Sequence, residues 1–137
     1  MKVVLDKDAI LPTRAHELDA GFDLYSRECV IIPAGGSYTF DTGVHMEIPR
    51  GFVGDVEPKS GLMVKHGIIT DGTVDAGYTG SIRVKLFNLG KDGFGVLKNQ
   101  KIAQLVIKAI ITPELQVVDR LEDTERGDGG FGSSGKF

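Results

Sequence analysis

The chain has 137 residues, 41% hydrophobic and 26% charged, with a formal net charge of −3; this length suits one globular domain and excludes a second of similar size. The acidic balance excludes nucleic-acid binding through a broad basic surface, and no apolar run approaches the ~18 residues of a membrane span. The single cysteine, Cys29, excludes an internal disulfide, and the N-terminus does not read as a secretory signal, so a soluble cytoplasmic protein is expected.

Nineteen glycines, about twice the usual share of ~7%, separate many short apolar runs, and that spacing points to an all-β chain. In chain order, residues 20–26 (AGFDLYS) lead from polar sequence into a strand. Residues 33–36 (PAGG) read as a turn. Residues 38–40 and 44–48 (VHMEI) alternate with period two, which places His45 on a solvated face. Residues 58–62 (PKSGL) open the one plausible helix, with Ser60 as N-cap and Gly67 as terminator.

Asp71 and Gly72 signal a turn, and residues 72–80 (GTVDAGYTG) read as a hairpin carrying a carboxylate and a tyrosine. Residues 81–86 (SIRVKL) alternate strictly, and a turn follows at residues 91–93 (KDG). Residues 102–107 (IAQLVI) are almost continuously apolar, as in a strand buried on both faces, with one amide, Gln104, among them. Leu121 is the last expected core residue. The chain then runs into the glycine-rich residues 126–135 (RGDGGFGSSG).

Several suggestive patterns fail on chemistry. Residues 130–135 spell G-x-G-x-x-G, but that fingerprint needs a preceding strand and a following helix to face a pyrophosphate. Read as a phosphate loop, the same stretch puts Phe137 where Ser or Thr must hold magnesium. The histidines at 16, 45 and 66 lack metal-ligand spacing.

Five stretches fit together: residues 20–26, 58–62, 72–80, 102–104 and 126–135. In this order, and spanning nearly the whole chain, they resemble the trimeric deoxyuridine triphosphatase (dUTPase) family, with GTVDAGYTG and RGDGGFGSSG the most specific. The resemblance implies a distorted jelly-roll β-barrel with one short helix, assembled as a homotrimer whose active sites are shared between subunits. It also implies magnesium-assisted hydrolysis of dUTP to dUMP and pyrophosphate, which removes dUTP from DNA synthesis and supplies dUMP for dTMP. A jelly-roll core over residues 1–121 and a flexible closing arm over residues 122–137 follow from it.

The resemblance also assigns roles. Asp75 matches the water-activating base, a part suited to a carboxylate that is ionised at neutral pH. Tyr78 would lie against the deoxyribose, and the backbone at Gly72 would pair with the uracil edge. Lys59, Ser60 and Gly61 match the phosphate-contacting set, with Lys59 in place of the usual arginine and without its bidentate fork. Gln104 matches the amide near the α-phosphate, and Asp23 the carboxylate that holds Mg2+ through water. Arg126 would meet the terminal phosphate and Phe131 would stack on uracil, while Gly132, Ser133 and Ser134 take remaining phosphate oxygens. Asn99-Gln100-Lys101 stands where the family often has Gly-Asp-Arg. Two alternatives share the fold: a dCTP deaminase-like enzyme, against which no glutamate flanks the Asp75 hairpin, and a nucleotide-gated regulatory binding protein.

Overall fold

The computed structural model describes residues 1–130 and 133. Every strand pairing is antiparallel. Strands β1 (Val3–Leu5) and β5 (Val44–Met46) form one pair, and β3 (Val30–Ile32) and β10 (Phe94–Val96) another. A three-stranded sheet holds β4 (Ser37–Asp41), β9 (Arg83–Asn88) and β7 (Ile68–Ile69) in that spatial order. The largest sheet runs β2 (Gly21–Tyr25), β11 (Lys101–Ala109), β6 (Phe52–Pro58), β8 (Gly72–Val74). Together they close a jelly roll around one core.

The alternation over residues 81–86 appears in space: Ile82, Val84 and Leu86 are buried while Arg83 and Lys85 face water. They meet Phe40, Leu24, Ile32, Val44, Ile102 and Leu105 in a single apolar cluster, where each buried side chain stabilises the fold by about 1.5–3 kcal/mol. Among the described residues Thr70 Oγ1 is the one buried side-chain polar atom in this core without a hydrogen-bond partner. The buried Asn88 donates through Nδ2 to the carbonyls of Ile32 and Asp92, both at 2.9 Å, and accepts from the Gly90 amide at 2.9 Å. Those three bonds fasten the β9–β10 connection to β3.

Helix α1 (Ser60–His66) begins one residue earlier than the capping argument expects: Lys59 is the N-cap and gives no side-chain cap, while Ser60 is already helical. Gly67 terminates it as expected, with φ 67° and its amide donated to the Leu62 and Met63 carbonyls. Residues 72–80 do not form a hairpin. β8 pairs with β6 and β9 with β4 and β7, so the segment between them crosses from one sheet to another. Nor is Leu121 in the core of the single chain: it is 84% exposed, and β11 has ended at Ala109. Beyond it Ile111, Leu115 and Val117 also face water, the last at 98%.

Candidate active site

β11 lies between β2 and β6, so side chains on one of its faces reach both neighbours. Gln104 stands opposite Asp23 of β2 and Glu57 of β6, and its Nε2 donates to the Pro58 carbonyl at 3.2 Å. The residue after Pro58 is Lys59, whose ammonium reaches back to Asp23 Oδ1 at 2.5 Å. Ser60 and Gly61 open α1 beside it; the helical amide bonds begin only at Leu62, which donates to the Lys59 carbonyl at 3.0 Å. Three separate stretches therefore meet at one end of the large sheet.

Asp23 is the electrostatic centre of this cluster. Its side chain is only 7% exposed, and its second oxygen, Oδ2, takes an ammonium from Lys101 at 2.6 Å. Burial opposes the charged carboxylate, but the hydrogen bonds and positive charges of Lys101 and Lys59 outweigh it and hold the carboxyl below its ordinary value. The same contact raises the Lys101 ammonium. Lys101 is not among the site residues that the sequence singles out. Its signal lies in the backbone: the β2–β11 register shifts between Lys101 and Ala103, so Lys101 pairs with Tyr25 and Ala103 with Leu24. In a regular strand, residues three apart point to opposite faces. The bulge cancels one step, and Lys101 shares the Asp23 face with Gln104.

Asp75 and Tyr78 lie elsewhere. β8 runs antiparallel to β6, with Gly72 opposite Val56 and Val74 opposite Gly54. Asp75 thus leaves the sheet near Gly54, four residues and about 13 Å of strand from Pro58. Its side chain is exposed at the start of a tight turn in which the Tyr78 amide donates to the Asp75 carbonyl at 3.1 Å. Gly77 sits third in that turn at φ 92°, a conformation that favours glycine. Tyr78 is half-exposed and its hydroxyl donates to the Ser81 carbonyl at 3.1 Å. Gly72 lies on an edge strand, so one side of its backbone has no strand partner among the described residues.

The 75–81 segment is tied down by a residue expected on a solvated face. His45 is half-buried, with Nδ1 2.8 Å from the Thr79 carbonyl and Nε2 3.3 Å from Asp6 Oδ1. Arg126 engages its own loop: Nε donates to the Gly129 carbonyl at 3.0 Å. Ser133 is exposed in a turn, its amide on the Gly130 carbonyl at 3.2 Å. Phe131, Gly132 and Ser134 lie outside the described residues.

The dUTPase family model matches residues 7–135. The chain belongs to the dUTPase family. A relative from Clostridium kluyveri, a deoxyuridine 5'-triphosphate nucleotidohydrolase, is 48% identical over 96% of this chain and 94% of its own length. The protein of that name from Clostridioides difficile is 46% identical with the same coverage. Among solved structures, the dUTPase of Staphylococcus bacteriophage 80alpha with dUPNHPP superposes with a TM-score of 0.91 at 33% identity, over 98% of this chain and 97% of that one. A mutant dUTPase from phage phi11 of S. aureus, in which a structural Mg(II) ion is coordinated, gives 0.82 at 29% identity over 89% and 98%.

Proposed function

We propose that this chain hydrolyses dUTP to dUMP and pyrophosphate with magnesium, keeping dUTP out of DNA synthesis and supplying dUMP for dTMP. The observation that carries this reading is the convergence of Asp23, Lys59, Ser60, Gly61 and Gln104 at one sheet end, in a chain of the dUTPase family.

In the proposed reaction a water oxygen attacks the α-phosphorus while Asp75 accepts its proton. The bond from the α-phosphorus to the bridging oxygen breaks, and its electron pair leaves with pyrophosphate. Asp75 suits this part because its carboxylate faces outward from a fixed turn. Lys59, Ser60 and Gly61 hold phosphate oxygens, and the Gln104 amide lies near the α-phosphate. The free edge of β8 at Gly72 reads uracil as one strand reads another, and the Tyr78 ring excludes a 2′-hydroxyl. Arg126 meets the terminal phosphate and Phe131 stacks on the base, with Gly132, Ser133 and Ser134 on the remaining oxygens.

The donor set fits magnesium held through substrate. Among the described residues no three His, Cys, Asp or Glu side chains gather to enclose an ion, and magnesium commonly takes one or two carboxylates with phosphate oxygens and water. Asp23 would be that carboxylate, acting through water. When bound, the ion neutralises charge on the phosphate oxygens.

Shared sites in a homotrimer complete the reading, and two features support it. The Asp75 turn follows β8 beside the end of β6 away from the Asp23 cluster, which fits a second chain supplying it. Residues 110–121 expose a row of apolar side chains, so a neighbouring subunit covers them. On this view residues 1–121 form the core once assembled and 122–137 the closing arm. No helix among the described residues is long and apolar enough to cross a membrane, and a cytoplasmic location belongs to the proposal.

The test is pyrophosphate release from dUTP beside dCTP, dTTP, dATP and UTP, with and without magnesium, with the assembly mass from sedimentation. Release confined to dUTP, dependent on magnesium, from a particle of three chains is expected. Ammonia release from dCTP at a comparable rate would overturn the reading.

A further inference from the structure

A buried carboxylate that takes part in holding a cation through water needs oxygen lone pairs facing that cation's hydration shell. At Asp23 both oxygens face ammonium groups instead. Oδ1 is taken by Lys59 at 2.5 Å and Oδ2 by Lys101 at 2.6 Å, so two ammonium groups stand where a hydrated dication would approach. The two lysines come from different elements, one just before α1 and the other at the first residue of β11, and both converge on the same carboxylate.

We propose that Lys59 and Lys101 form an exchangeable counter-ion pair for Asp23, bound to it in the absence of nucleotide and transferred to the triphosphate on its arrival, so that Asp23 becomes available to magnesium only in the ternary complex. This rests on the reading of the site as one for a magnesium nucleotide.

The physics favours exchange over a permanent clamp. Lysine is a compact point charge on a flexible stem, with no geometric demand for a particular carboxylate. Both ammonium groups keep access to water, with side-chain exposures of 29% and 43%, so each can swing to a phosphate oxygen without moving a strand. Asp23 has less room to swing: it sits mid-strand in β2 with its side chain only 7% exposed. A confined anion with two mobile cations is therefore neutralised from within when empty. Addition of a triphosphate supplies enough negative charge for both lysines and the metal. Lys101 is a positioning residue in this scheme, and the bulge at Ile102 is what aims it.

The experiment measures Mn2+ binding to the full chain by electron paramagnetic resonance, without nucleotide and with the non-hydrolysable analogue dUpNHpp. Wild type, Lys101→Met, Lys101→Arg and Lys59→Met are compared, each first checked for native circular dichroism and assembly mass. Wild type should bind Mn2+ at least about tenfold more tightly with the analogue than without it. Lys101→Met should tighten nucleotide-free binding by about tenfold as one repulsive charge leaves the carboxylate, and Lys101→Arg should behave as wild type. Lys59→Met gives the same readout from the other side should Lys101→Met fail to fold.

Unchanged nucleotide-free affinity in the folded lysine variants would overturn the proposal, as would equal affinity in wild type with and without the analogue. Normal dUTP turnover alongside either result would leave the functional reading standing. Conversely, tightened Mn2+ binding in a protein that does not cleave dUTP would uphold the counter-ion pair and remove the substrate assignment.

Discussion

Gly21 lies directly beneath the side chain of Gln104. A β-carbon at position 21 would come within 2.8 Å of the Gln104 Cβ and 2.9 Å of its Cδ, at the root of the side chain as well as its end. The close packing of β2 on β11 at this point thus depends on an absent methyl group, and it holds Gln104 over the Pro58 carbonyl.

Gly21→Ala is expected to displace Gln104 and strain the β2–β11 ladder, at a cost of about 1–3 kcal/mol in stability. Chemical denaturation measures that cost. Turnover should fall further than the stability loss explains at temperatures where the variant is fully folded. A variant with wild-type kcat would remove Gln104 placement from the reaction.

Asp75→Asn keeps the size of the side chain and removes the proton acceptor. Turnover should drop by about 10²–10⁴-fold while the affinity for dUpNHpp stays near that of wild type. Single-turnover kinetics beside calorimetric titration separate the two, and loss of binding with chemistry intact would reverse the assignment.

Truncation after Glu125 removes Arg126 and everything that follows. The body should fold and assemble, since residues 126–130 contribute nothing to the buried core. kcat/KM should fall by about 10²-fold through lost positioning and entry of water. Unaltered kinetics would show that the arm takes no part.

His45 predicts a pH dependence. Its pKa is raised above the ordinary imidazole value of 6.5, first by the Thr79 carbonyl, against a desolvation penalty, and then by Asp6 and Asp41. Arg27 faces the same acids, 3.5 Å from Asp6 and 3.9 Å from Asp41. The folded state therefore holds the proton more tightly than the unfolded chain. The stabilisation is complete below about pH 6.5 and disappears as pH rises through the folded value. The melting-temperature gap between wild type and His45→Gln should shrink from about pH 6 to about pH 9. A gap that is constant or widens with pH would contradict this.

Much of the architecture was legible because burial imposes a strict period. Ile82, Val84 and Leu86 announce β9, and the continuous run around Ala103 and Leu105 announces a central strand. Less legible was anything set by pairing between distant segments. Residues 72–80 read as a hairpin because the turn at Gly77 is present, but the strands on either side of it find other partners. The direction of Lys101 depends on a bulge, which alternation alone does not disclose. Asn99 stands where the resemblance expects glycine, and at φ 66° it occupies the left-handed region that asparagine tolerates among the non-glycine residues. Leu121 reads as a core residue because its hydrophobicity favours burial, but in the single chain it lies exposed.

The separation of the Asp75 turn from the Asp23 cluster along β6 carries a genetic consequence. If each reaction centre takes these carboxylates from different chains, a subunit defective at Asp75 and one defective at Asp23 are each inert alone. Mixed and reassembled, they regenerate some centres in which both groups are intact, and activity returns from two dead parents. Such complementation is unavailable to an enzyme that keeps its whole machinery in one polypeptide.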